Sequence, residues 1–222
     1  MNGLTTLHWT HLTRALQRYQ KLGYLDIACP WNASAEATRI TLPWGREPTK
    51  ASTPNQEMLL VGSAEQALLD LALRGQLPDG KPVCCLTPCF RLDEEGPYHH
   101  PYFMKIELGC FWRSSTPFKQ IVARAELFQD HARILHLMEF GQEPLLGPDQ
   151  PKVVHTHHGW LRDVPLPDLQ INGIEVGSYG ARSWKSTDGN QFLAWAYGTG
   201  LAMPRALEAL TAKGAMSEAP VS

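Results

Sequence analysis

The sequence has no excess of either charge. Its 20 Lys and Arg stand against 22 Asp and Glu, a formal net charge of −2, and the pI is about 6.5. No basic field able to neutralise a long run of phosphates is present, so a large nucleic-acid footprint is not expected. Long apolar runs are also missing. None approaches the ~20 residues of a membrane-spanning helix. The first residues, Met1 to Thr6, lack a basic stretch followed by an apolar one, so no secretory leader is expected. Cysteine is scarce and odd in number: Cys29, Cys84, Cys85, Cys89 and Cys110. Most of them fall in predicted strands, and reduced core thiols in a cytoplasm follow. What remains is an ordinary soluble globular composition, 43% hydrophobic and 19% charged, long enough for one domain with a sizeable core.

Taken in order, residues 5–22 carry Leu7, Leu12, Leu16, Tyr19 and Leu22 at helical spacing, with Gly23 as a stop. A strand from Tyr24 ends near Pro30. Residues 32–57 are polar and proline-containing, and predict a loop with one short strand, Thr38 to Leu42. Glu57 to Gly62 predicts a second short strand. Ser63 then opens a helix through Leu73 as its N-cap, with Glu65 in the first turn, where a carboxylate suits the helix dipole. Pro117 to Phe140 predicts a long helix ended by Gly141. His155, His157 and His158 form a cluster. A loop or surface strand is its plain reading, and His155 and His157 would share a strand face if they met a metal. Ile171 to Arg182 alternates as one strand, and Phe192 to Tyr197 as another. The latter runs through Gly198 and Gly200 into a helix from Pro204 that carries Arg205. Residues 1–212 thus predict one domain, and the small, polar residues 213–222 a disordered tail.

The stretch that carries chemistry is Thr87 to Leu108. An apolar strand ends in Arg91, a polar loop turns at Glu94 to Pro97, and a second strand alternates from Tyr102. Burial of Met104 and Ile106 puts Phe103, Lys105 and Glu107 on the opposite face, with Arg91 beside them. An Arg, an aromatic ring and a carboxylate on one sheet face suit a triphosphate, a purine and a cation or amine.

This hairpin resembles motif 2 of the class II aminoacyl-tRNA synthetases, through Phe90-Arg91-Leu92-Asp93, His99 or His100, Phe103 and Glu107. Gly198-Thr199-Gly200-Leu201-Ala202 followed by Arg205 resembles motif 3, in wording closest to the seryl branch. The helix and strand ending at Pro30 resemble motif 1, which implies a homodimer. Ser63-Ala64-Glu65 is similar to the Thr-x-Glu loop of the seryl enzymes, where the Glu faces the ammonium of the amino acid. Asp93 stands where Glu is usual.

The resemblance implies an α+β fold, an antiparallel sheet flanked by helices. It implies ATP bound by Arg91, Asp93, His99, Phe103, Gly198, Gly200 and Arg205, with Arg91 and Arg205 catalytic. Mg²⁺ would lie on Glu175 and Ser178, and Glu65 and Glu107 would bind substrate. No room is left for an anticodon-binding domain. The implied activity is formation of an acyl adenylate from an amino acid or similar carboxylic acid, with transfer to a carrier protein or a tRNA acceptor end. Related amino acid:carrier protein ligases hold zinc, for which Cys89, Glu107 and Cys110 are the candidates. A non-catalytic paralogue acting as a ligand-binding or regulatory subunit is the alternative.

Overall fold

The computed structural model describes residues 8–41, 58–91, 98–114, 116–151, 153–155 and 159–212. Its centre is the predicted hairpin, β4 (Pro82–Phe90) and β5 (Tyr102–Trp112). They pair antiparallel from Pro82 opposite Cys110 to Phe90 opposite Tyr102. On the other side of β5 runs β12 (Phe192–Met203), also antiparallel. Outside it come β11 (Tyr179–Lys185), β8 (Trp160–Pro165) and β7 (Val153–His155). The short β1 (Leu25–Asp26) closes the far edge, parallel to β4. The seven-stranded sheet is therefore mixed, antiparallel except at that edge.

Side-chain alternation gives this sheet two different faces. One face takes Cys84, Ile106, Leu108, Cys110, Ala194 and Ala196, and packs them against α1 (Trp9–Lys21) and α4 (Phe118–Phe140). These helices contribute Leu12, Ala15 and Tyr19, and Ile121, Ala125 and Phe128, at helical spacing. Gly141 ends α4 at φ 73°, where its N–H meets the Leu137 carbonyl. Any other residue there would be strained, at about 1 kcal/mol. The second face takes Val83, Cys85, Phe111 and Trp195 under α3 (Ala64–Leu73), which buries Leu68 and Leu69. Phe111 and Trp195 stack with centroids 6.4 Å apart. This helix is ten residues long and leaves the rest of the face to polar side chains.

Two expectations need correction. Thr38 begins no strand: residues 35–41 form α2 (Ala35–Thr41). Ser34 caps it, its Oγ accepting the Ala37 N–H at 3.2 Å, and Thr38 and Ile40 are buried. A good cap and tertiary packing outweigh the β-branched composition. The small β2 (Asn32–Ser34) pairs instead with β3 (Met58–Leu60), outside the main sheet. Nor is Ile171 to Arg182 one strand. Asn172 at φ 53° and Gly173 at φ 79° make a two-residue turn between β9 (Leu169–Ile171) and β10 (Ile174–Gly177). Asn-Gly is the pair such turns select. With β6 (Leu145–Leu146) these strands form a separate three-stranded sheet. A short α5 (Arg205–Thr211) follows β12. No described helix is long and apolar enough to cross a membrane. Leu42, Asp93, His157, His158 and the tail 213–222 lie outside the described residues.

Candidate functional site

The polar part of the α3 face begins where α3 begins. On β5 the predicted trio is delivered as read: Phe103, Lys105 and Glu107 share this face, and Ile106 and Leu108 the other. Arg91 leaves the end of β4 and turns over the Phe103 ring, its Cζ 5.2 Å from the centroid. Its Nε donates to the Gly62 carbonyl at 2.9 Å, which ties the guanidinium to the approach to α3. Arg205 reaches the same region from α5. Its Nε donates to the Tyr98 carbonyl at 3.2 Å, and Nη1 lies 3.9 Å from Glu175. Burial lowers the Arg205 pKa, Glu175 works against that shift, and the nearby charge of Arg91 adds to it. Two guanidiniums thus face one region, as a polyanion would require.

Of the two candidate histidines, His100 is engaged: its Nε2 lies 2.9 Å from Glu208 on α5. His99 is exposed.

Glu107 is deep, with its side chain 1% exposed. Lys105 Nζ lies 2.9 Å away, and Ser63 Oγ donates to it at 2.5 Å. The backbone N–H of Glu65 also points to it at 3.4 Å. Ser63 occupies the N-cap position with extended backbone but makes no side-chain cap. The capping carboxylate comes from β5 instead. Glu107, expected to touch substrate, gathers all three donors on Oε2 and ties the start of α3 to β5.

Glu65 is buried and fully engaged. Both of its oxygens accept from Arg182 Nη1 at 2.7 Å, and Oε1 also accepts from Trp195 Nε1 at 2.6 Å. Arg182 sends its Nε to Asp163 at 2.9 Å and lies over Tyr197, 4.3 Å from the centroid. Burial opposes the charge on Arg182, but Glu65, Tyr197 and Asp163 outweigh it and raise the pKa. Sequence reasoning missed Arg182, Asp163 and Trp195. Register explains their meeting: Arg182 is opposite Asp163 on β8 and Trp195 on β12. Polar residues in the alternation of β8 and β11 were the only signal.

The glycines have a different reason from the one expected. A Cβ on Gly198 would stand 2.6 Å from Tyr179 Cδ1, and one on Gly200 2.8 Å from Ile106 Cγ2 and 2.9 Å from Tyr19 Cε2. Those atoms belong to the core under α1 and α4. Packing accounts for both glycines without a ligand.

A zinc site built on Cys89 and Cys110 is excluded by the pleat. Cys110 packs under α1 and α4, while Cys89 packs with Phe103 and Ala202 on the other face. Burial pushes the two thiols up, to about 11 and about 12. Among the described residues no group of three or more His, Cys, Asp or Glu could hold a metal ion. Magnesium asks less of the protein, because it keeps several waters and borrows phosphate oxygens. The Glu175 carboxylate is half-exposed beside Asp168, whose pKa is raised to about 6 by burial and by the charge of Glu175. Ser178 follows β10, its N–H directed to Thr199 Oγ1 at 3.3 Å. Glu175, which meets Arg205 only at 3.9 Å, and Asp168 offer the hard oxygen donors such an ion takes.

No protein-family model matches the chain, and no curated protein matches it in sequence. Solved structures do match. One is seryl-tRNA synthetase from Pyrococcus horikoshii complexed with ATP, at 17% identity and a TM-score of 0.61, over 90% of this chain and 49% of that one. Another is pyrrolysyl-tRNA synthetase from Desulfitobacterium hafniense, at 15% identity and a TM-score of 0.57, over 90% of this chain and 67% of that one. A third is prolyl-tRNA synthetase from Cryptosporidium parvum complexed with halofuginone and AMPPNP, at 9% identity and a TM-score of 0.60, over 90% and 46%. The chain spans about half the length of the seryl and prolyl enzymes. The mixed sheet, its flanking helices and these likenesses give the chain the α+β fold of a class II aminoacyl-tRNA synthetase core.

Proposed function

We propose that the protein uses ATP to convert an amino acid or related carboxylic acid into an acyl adenylate and passes the acyl group to an acceptor. The observation that carries this reading is the convergence of Arg91 and Arg205 beside Phe103, on the same sheet face as the buried Glu65 cluster. One end of the face is suited to phosphates and a flat base, and the other to a small polar acid. Arg91 lies over Phe103; with a nucleotide bound, the base takes the ring face and Arg91 meets the α-phosphate. Arg205 covers the base from α5. The acid's carboxylate attacks the α-phosphorus and pyrophosphate leaves. Paired guanidinium donors meet charge that grows in the transition state, so positioning and electrostatics supply the acceleration. Mg²⁺ held through Glu175 and Ser178 would neutralise phosphate charge. The acceptor is a carrier protein or a tRNA acceptor end, and the setting is the cytoplasm. Exposed Trp9, Leu22, Leu25 and Trp31 on and beside α1 and β1 support a homodimer through that edge.

The decisive experiment is ATP–pyrophosphate exchange across a panel of amino acids. Exchange with at least one acid, lost in Arg91→Lys, is the expected result. ATP binding without exchange for any acid would replace this reading by that of a ligand-binding paralogue.

A further inference from the structure

Two side chains in the first turn of α5 reach the same short stretch of chain. Arg205 Nε donates to the Tyr98 carbonyl at 3.2 Å. Glu208, three positions on, shares that face of the helix. Its two oxygens lie 2.9 and 3.0 Å from His100 Nε2, so the ring donates to the carboxylate through Nε2–H. Both side chains of this pair are partly buried. Pro101, next in the chain, is fixed from the other side, its carbonyl accepting the Arg91 N–H at 2.9 Å. Residues 98–101 thus bridge the β4–β5 hairpin to α5. A first-turn acid suits the helix dipole, but the dipole does not aim Glu208 at a histidine. Arg205 has little else to orient it. Its other polar contact among the described residues is with Glu175, 3.9 Å from Nη1, at the outer limit of an ion pair. The direction of the guanidinium therefore depends on where the Tyr98 carbonyl stands, and that depends on His100 two residues on.

We infer that His100 and Glu208 are positioning residues for the base clamp: by pinning residues 98–100 to α5, they hold the Arg205 guanidinium in one orientation before a nucleotide arrives. This rests on the proposed function, in which Arg205 covers the base. Neither His100 nor Glu208 touches the nucleotide in this scheme. Their effect is preorganisation. With the pair in place, nucleotide binding does not have to immobilise a long side chain and a strip of backbone; without it, that ordering cost falls on binding. A guanidinium stacks through its plane, so its orientation matters as much as its charge.

The test uses the full chain, with calorimetric binding of ATP and of inorganic tripolyphosphate and ATP–pyrophosphate exchange alongside. His100→Ala and Glu208→Ala should each weaken ATP binding about tenfold. The double variant should lose no more than either single one, because the pair acts as a unit. Tripolyphosphate, which offers no base, should bind the variants as it binds the wild type. In exchange, KM for ATP should rise by the same factor, with kcat and the KM for the acid near wild type. Glu208→Gln, whose amide oxygen still accepts from Nε2–H, should recover most of the loss. Wild-type ATP affinity in both alanine variants overturns the inference, as do losses that add in the double variant or an equal loss for tripolyphosphate. So does an absence of ATP binding to the wild type. The expected losses in ATP binding, without exchange for any acid, keep the inference and remove the adenylation reading; exchange that neither variant alters does the reverse. His100 lies outside the helices, so a folding defect in Glu208→Ala leaves the His100→Ala arm decisive.

Discussion

Glu107 offers a prediction whose size can be worked from its contacts. Its carboxylate holds Lys105 Nζ at 2.9 Å, the Ser63 hydroxyl at 2.5 Å and the first-turn N–H of Glu65 at 3.4 Å. Glu107→Gln keeps an oxygen for one donor but removes the charge opposite Lys105, whose side chain is only 8% exposed. Breaking one partner of a buried pair costs about 3–5 kcal/mol. The residual hydrogen bond and the slight access of Lys105 to water bring this toward ~2–4 kcal/mol. At ~2–4 °C per kcal/mol for a chain of this size, the melting temperature should fall by ~5–15 °C. A thermal melt by circular dichroism at low protein concentration reads this directly. Lys105→Met should cost a similar amount. The double variant, Lys105→Met with Glu107→Gln, should recover much of the sum, because no buried ion is then left alone. A Glu107→Gln melt within a degree of wild type would refute the assignment of Glu107 as the anchor of α3. So would full additivity in the double variant.

Glu175→Ala should weaken ATP binding in the presence of Mg²⁺ and change it little in its absence, measured by equilibrium dialysis; equal loss in both conditions removes Glu175 as an ion ligand. Arg205→Lys should weaken ATP binding by roughly 1–2 kcal/mol, since a lysine does not reproduce a stacked guanidinium, and a titration of nucleotide affinity checks it. Cys89 and Cys110, with pKa values pushed up by burial to about 11 and about 12, should resist iodoacetamide at pH 8 in the folded protein, and mass spectrometry after a timed quench should find both unmodified. Burial holds the His136 pKa below its ordinary value, so the unfolded chain binds a proton more readily. The neutral imidazole's advantage is present above pH 6.5 and lost as pH falls below it. His136→Gln should therefore flatten the fall in melting temperature between pH 7 and pH 5.

The hairpin was legible because its signal is local. Alternation from Tyr102 to Leu108 assigns each residue to a face, and β4 and β5 follow it into the structure. The long helix α4 was legible for the same reason, through its apolar stripe and Gly141. The α2 helix was hidden because Thr38, Ile40 and Thr41 read as a strand, and only Ser34 and the packing beneath decide otherwise. The Glu65–Arg182 pair joins residues 117 apart in sequence, and no window along the chain contains that contact. Glu65 itself was visible as a helix-start carboxylate, but its N–H is served by Glu107 and its side chain by Arg182. Gly198 and Gly200 stood out as special; what made them so was the bulk of Tyr19, Tyr179 and Ile106 against them.

The register of β12 slips between Thr199 and Leu201. Before the slip Trp195 packs on the face under α3; after it Leu201 and Met203 sink into the opposite core, and Ala202 joins Phe103 and Cys89. One extra residue thus exchanges the two sides of the strand just before Arg205. Over this stretch, spacing decides which face each residue takes. Loss of a single codon there would turn the end of the strand inside out.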